Sequence, residues 1–204
     1  ITEGMAGTEN QCIGIAQALG VDPVIKRIKL KTPWKQLAPY LCFLSKFSLT
    51  KESDDISQPY PDIVIASGRK AVIPALYIKK ASEGKTFVVQ VQDPRCNPAK
   101  FDLVALPQHD PSRAENVIVT TGALHKITPA KLIEAKTEFE KQVEHLPKPR
   151  VAVLIGGSSK HHKMTEEITT KLAEQLLSLK DVGLMITASR RTGEENTKLL
   201  REKL

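Results

Sequence analysis

Val151-Ala-Val-Leu-Ile-Gly-Gly-Ser-Ser-Lys160-His-His-Lys163 is the stretch on which the fold turns. The aliphatic run over 151–155 has the composition of a strand buried on both faces, as in a parallel sheet. It runs into a Gly-Gly turn and then toward a helix. Such a turn aims backbone N–H groups at one point in space, where a phosphate commonly sits. Ser158 and Ser159 are expected to cap the helix or to donate to that phosphate. A second glycine-punctuated turn, Thr2-Glu-Gly-Met-Ala-Gly-Thr-Glu-Asn-Gln11, opens the chain in the same way. Two such turns predict two nucleotide-type halves facing one cleft.

Outward from these turns, strands and helices alternate. Strands are expected at 1–2, 24–30, 62–66, 86–91, 101–106, 116–121, 151–155 and 183–188. Helices are expected at 10–19, 71–81, 129–146, about 165–179 and from Glu194. The segment 34–49 reads as a helix broken near Pro39. Alternation of this kind predicts an α/β fold with a parallel sheet, whose ligands bind at the carboxyl ends of the strands. Pro147-Lys-Pro149 stops the helix before it and reads as a linker at 147–150. The expected division is a first domain over 1–146 and the start of a second over 151–204. The chain opens where a first strand is already ending and stops inside a helical pattern, so a longer polypeptide is expected.

The composition narrows the function. Hydrophobic residues make up 41% of the 204, enough for a packed core and too many for a disordered chain. Aromatic residues are only 4%, so the core must be aliphatic. The net charge of +7 suits an anionic ligand or an anionic membrane surface. The basic residues are scattered and few aromatics are available for stacking bases, which ranks nucleic acid last. Cys12, Cys42 and Cys96 form no CxxC pair, and a reducing cytoplasm fits them best. No apolar run approaches the roughly 20 residues that span a bilayer.

Several strand ends carry polar groups suited to chemistry. Ser189-Arg190-Arg191-Thr192 follows the last strand and should emerge beside Gly156-Gly157-Ser158-Ser159-Lys160, giving an anion pocket. Ser67-Gly68-Arg69-Lys70 is a second basic helix start. Asp93, His109 and Asp110 stand at further strand ends as candidate bases. Gly4-Met-Ala-Gly7 is not GxGxxG, so a dinucleotide is not expected there. Thr8 and Asn10 are expected to cap the helix at 10–19. The adjacent His161 and His162 cannot face one way on a helix, so no metal is expected. Trp34, Tyr40, Phe43 and Phe47, with Lys35, Lys46 and Lys51, could lie on an anionic surface or form an acceptor-binding lid.

The set of motifs resembles the mitochondrial fission "elongated mitochondria" family. The resemblance rests on residues 1–11, Ser67-Gly-Arg69, Val91-Gln-Asp-Pro-Arg95, Pro107-Gln-His-Asp110, Thr121-Gly-Ala-Leu-His125, Ile155-Gly-Gly-Ser-Ser-Lys-His161 and Ser189-Arg-Arg-Thr192. It implies a fold similar to the two-domain GT-B glycosyltransferases, with the second Rossmann-like domain incomplete here. Residues 151–159 look like the donor-domain glycine loop of the transferase that adds N-acetylglucosamine to make lipid II. On that resemblance Gly156, Gly157, Ser158, Ser159, Lys160, Arg190 and Arg191 would hold a nucleotide-sugar's phosphates. Gly4, Gly7, Asn10, Ser67 and Arg69 would shape the acceptor side, and Asp93 or His109 would be the base. No metal or other cofactor is implied. Bacterial members are of unknown function, and some carry an epimerase label. The plant member is implicated in recruiting a dynamin-related protein. The alternative implied is thus a non-catalytic scaffold for a protein partner or membrane surface, cytoplasmic and peripheral at the membrane.

Overall fold

The computed structural model describes residues 1–41 and 47–204. Cys42, Phe43 and Lys46 of the expected surface segment lie outside the described residues. The chain divides into two compact units, Ile1–Thr128 and Pro129–Leu204, and each is described by itself.

The first unit is built on four parallel strands in the order β1 (Ile63–Ser67), β2 (Phe87–Val91), β3 (Leu103–Pro107) and β4 (Val117–Thr120). Ala66 stands opposite Gln90, Gln90 opposite Val104, and Val104 opposite Val117. Backbone pairing extends the sheet past β1. Ile1 N donates to Ile65 O at 2.6 Å and Ser67 N donates to Ile1 O at 3.2 Å. On its other side Thr2 N donates to Lys26 O and Ile28 N to Thr2 O, a parallel bridge. Residues 1–2 therefore lie inside the sheet, between 26–28 and β1, where the sequence predicts the end of a strand. The expected strand over 24–30 is reduced to bridges at Arg27 and Leu30.

Helix α1 (Ala6–Ala18) follows the central strand and helix α3 (Val72–Ala81) follows β1. The two crossovers run to opposite sides of the sheet, so their shared right-handedness places the helices on opposite faces. Helix α3 buries Val72, Ala75 and Ile78 against Val64, Ala66, Val88, Val104 and Leu106, the aliphatic core the composition requires. The crossovers from β2 to β3 and from β3 to β4 contain no α-helix. The first holds only a 3-10 turn, Pro98–Lys100, capped by the Asn97 side chain.

Three expectations change. Helix α1 begins at Ala6, so Asn10 is inside it and caps nothing. The expected helix over 34–49 reduces to α2 (Trp34–Leu37) among the described residues. Ala38 precedes Pro39 and is extended, with ψ at 137°, because the proline ring excludes the helical conformation before it. Helix α5 (Glu166–Leu177) begins well past Ser159.

In the second unit β5 (Arg150–Ile155) and β6 (Gly183–Ala188) are parallel. Ile155 meets Ala173 of α5 and Leu200 of α6 (Glu194–Lys203) in a small core. Helix α4 (Pro129–Val143) falls within this unit. Both units are thus α/β with parallel strands.

One ion pair ties α3 to β3. Asp102, just ahead of β3, accepts from Lys79 Nζ and from Val88 N, each at 2.8 Å. Partial burial pushes its carboxyl up, but the Lys79 ammonium and the Val88 N–H outweigh that and hold it below the usual carboxylate range. A depressed folded value stabilises above the unfolded value, near pH 3.9, and that stability is lost as pH falls through the folded value. Asp102→Asn is expected to lower unfolding free energy by about 1–2 kcal/mol at pH 7. The gap from the parent protein should close in acid. Thermal melts between pH 2 and 6 check it.

Candidate functional site

The first unit's sheet reverses its strand order between residues 1–2 and β1. A crevice opens at such a switch point beyond the carboxyl ends of the two strands. The turns that leave it are Glu3-Gly4-Met5 and Ser67-Gly68-Arg69-Lys70. Gly4 has φ +78° and Gly68 φ +84°, conformations open to glycine at little cost. A side chain at Gly4 would come within 3.3 Å of Arg27 Cδ. Arg27 in turn grips Glu9 of α1 with both arms, at 2.8 and 2.9 Å. That hydrogen-bonded guanidinium holds Glu9 below its ordinary value.

Neither helix that starts here has a side-chain cap, since Met5 and Ala71 occupy the capping positions. Thr8, expected as a cap, instead donates its hydroxyl to Met5 O at 2.9 Å. Among the described hydrogen bonds, the N–H groups of Ala6, Gly7 and Thr8 have no partner. Nothing stands within 4 Å of where a Gly7 side chain would begin. Lys70 Nζ forms an ion pair with Glu3 across the two turns. Arg69 is exposed, with no partner among the described residues. Ser67 is 1% exposed and its hydroxyl has no partner. Gln90, fully buried, donates from Nε2 to Val91 O at 2.9 Å and to Gly68 O at 3.4 Å, while its Oε1 has no partner.

Asp93 and His109 stand at the ends of the neighbouring strands β2 and β3. Asp93 is buried, and its Oδ1 accepts from Arg95 N at 2.7 Å, an Asx turn. Asp110 Oδ2 accepts from Asp93 N at 3.2 Å and so ties the two loops. His109 is exposed, and no hydrogen bond joins it to Asp93 among the described residues. Gln92 and Arg95 both adopt positive φ, 69° and 57°, a strain that concentrates at functional loops. Glu3, Gln90 and Gln92 carry no motif that marks them in the sequence. The Asp93-Pro94 turn was the available signal for the strain.

At the second unit's edge the two expected turns do meet, backbone to backbone. A Cβ on Gly157 would lie 1.9 Å from the Arg191 carbonyl. Ser158 N donates to Arg191 O at 3.0 Å. The buried Thr192 hydroxyl bonds Gly156 O at 2.6 Å and Ile155 O at 3.3 Å. The serines do not cap α5. Ser158 Oγ accepts from Met164 N, and Ser159 Oγ accepts from the His161 and His162 N–H groups, so both order the loop ahead of the helix. Thr165 caps α5 by accepting from Ile168 N, and Glu166 and Glu167 occupy its first turn. Acid at that end already complements the helix dipole. Lys160, Arg190 and Arg191 are exposed, and the Gly156 and Gly157 N–H groups have no partner among the described hydrogen bonds.

Among the described residues no three His, Cys, Asp or Glu side chains could hold a metal ion together. No helix among them is long and apolar enough to cross a membrane. Tyr40 and Phe47 of the expected surface segment are exposed.

A family model described as mitochondrial fission ELM1 matches residues 6–204. The mitochondrial fission protein ELM1 of Arabidopsis thaliana is 27% identical over 253 aligned positions, covering 88% of this chain and 59% of that protein. An uncharacterised protein of Rickettsia prowazekii is 29% identical over 174 positions, covering 68% of this chain and 48% of that protein. The chain therefore spans between 48% and 59% of the length of these curated relatives. No solved structure matches it. The motifs along both strand edges are thus those of one continuous match, and the chain belongs to the mitochondrial fission ELM1 family.

Proposed function

We propose that this chain is part of a non-catalytic α/β scaffold that binds a protein partner in a fission-related process. The observation that carries the reading is the family match over residues 6–204 together with the plant relative's name. The carboxyl-edge chemistry supports it. Asp93 and Asp110 spend carboxylate oxygens on backbone N–H groups, and His109 has no acid or nucleophile bonded to it among the described residues. In cells lacking the full-length protein, a double variant with Asp93→Asn and His109→Ala is expected to restore the normal phenotype fully. The asparagine keeps the acceptor for Arg95 N. A correctly folded double variant that fails to restore it would overturn the scaffold reading.

A second reading is favoured by the close backbone approach at Gly157 and the exposed Lys160, Arg190 and Arg191. In it residues 151–204 begin the nucleotide-binding half of a GT-B-type protein, with 147–150 as linker, and a nucleotide-sugar lies over the glycine turn. Calorimetry of the full-length protein with a panel of nucleotide-sugars tests it. A ligand whose binding weakens in Arg190→Ala would support it, and silence across the panel would remove it.

A further inference from the structure

We infer that the switch point of the first unit is a phosphoryl-binding site whose cation, Lys70, is held by Glu3 until the incoming anion takes it. This goes beyond the scaffold reading and involves neither Asp93 nor the second unit. Four observations converge on it.

Helices α1 and α3 both start at this edge from opposite faces of the sheet, and neither is capped by a side chain. The donors come from α1, whose Ala6, Gly7 and Thr8 N–H groups have no partner among the described hydrogen bonds, whereas α3 opens with the fully buried Val72 and Ile73 and with Pro74, which has no N–H. Gly7 leaves the approach to α1 open.

The hydroxyl of Ser67 is buried and unpartnered, which is costly unless something accepts from it. Ser67 is the last residue of β1 and alternates with Ala66, whose face α3 covers. It therefore lies on the α1 face, and a Cβ on Gly68 would be 3.9 Å from Thr8 Cγ2 in the first turn of α1. That places the Ser67 hydroxyl beneath the uncapped end of α1.

Gln90 fixes the turn between the helices by donating to Gly68 O and Val91 O.

The charges are poised rather than spent. Arg69 is free among the described residues, Glu9 is committed to Arg27, and the one anion at the turns is Glu3 on Lys70. A planar carboxylate satisfies one cation, as Glu3 does. A phosphoryl group carries up to two negative charges and three strong acceptor oxygens, enough for Lys70, the start of α1 and the Ser67 hydroxyl together.

The test titrates inorganic phosphate into the full-length protein and its variants by calorimetry. Glu3→Gln is expected to tighten binding about tenfold, because it removes the competing anion while keeping the side chain's size. Lys70→Gln is expected to weaken it about tenfold. Ser67→Ala should weaken binding about threefold while its melting temperature holds or rises, since an unpaired buried hydroxyl has been removed. A purely structural ion pair would not give opposite signs at its two ends. Failure of Glu3→Gln to tighten phosphate binding, or phosphate binding unchanged in Ser67→Ala, overturns the proposal. Glycerol phosphate and vesicles containing phosphatidic acid form two further arms. Tighter binding in either arm, with the same variant pattern, assigns the source as a soluble ester or a lipid headgroup. Binding no tighter than inorganic phosphate in both arms, with the variant pattern kept, assigns the source as free phosphate.

Discussion

Replacing Gly157 with alanine is expected to cost the second unit about 3 kcal/mol or more. The new methyl carbon would sit 1.9 Å from both the carbon and the oxygen of the Arg191 carbonyl and 2.2 Å from Thr192 N. These are backbone atoms, so no rotamer change makes room. The turns must separate, and separation breaks the bond from Ser158 N to Arg191 O and the two from the Thr192 hydroxyl. Thr192 is 2% exposed, so its hydroxyl would be left unpaired away from water. The unit's core is small, resting on Ile155, Ala173 and Leu200, and little else would hold the edge. Gly156→Ala is the control. Nothing lies within 4 Å of its Cβ position, and it should fall within about 0.5 kcal/mol of the parent protein. Denaturant titration of the full-length protein, with amide exchange followed over residues 155–192, measures both. A Gly157→Ala protein as protected as its parent would show that the turns do not meet as described.

The second large effect is a reversal of sign within one helix. Glycine inside a helix is ordinarily destabilising by about 0.5–1 kcal/mol relative to alanine. Gly7 and Gly14 both lie in α1. At Gly7 the space is open, and Gly7→Ala should stabilise by about that amount. At Gly14 a Cβ would stand 2.4 Å from His125 O and 2.7 Å from its carbonyl carbon. The segment after β4 crosses α1 there at backbone distance. Gly14→Ala is expected to destabilise the first unit by about 2–3 kcal/mol, because the atoms the new methyl meets are backbone and no rotamer change makes room. Melting temperatures of the two variants should move in opposite directions. Movement in the same direction would sink the packing account.

These two glycines also show what the sequence could and could not tell. Aliphatic runs such as 151–155 and 62–66 read correctly as strands, because short aliphatic and β-branched runs bounded by turn residues favour a strand even where, as at Ala152 and Leu154, one face is exposed. Long periodic helices read well too. Helix ends were harder. Ser158 and Ser159 look like caps, yet the loop's own N–H groups claim them, and Thr165 with two glutamates behind it is the cap that was available to read. Trp34–Leu37 stops where the expected break near Pro39 puts it, because the proline acts on the residue before it. The candidate site was legible as a set of turns on one edge, since parallel topology alone brings them there. The Glu3–Lys70 pair and the orphaned Ser67 hydroxyl were not, because both depend on which strand is the neighbour of which.

That neighbour relation has a kinetic consequence. Residues 1–2 bond to Lys26 and Ile28 at short range, but to Ile65 and Ser67 across some 64 positions of chain. Closing that loop costs entropy that local contacts cannot repay in advance. The unit formed by 1–30 can assemble early, and β1 can pair with β2, before the two halves join along a seam made by the strand at residues 1–2 and the packing of Ile73 on Ile28 and Leu30. The switch point exists only once that seam has closed. Any ligand held there binds only forms in which residues 1–2 have paired with β1, so occupancy of the crevice would report that the seam has closed.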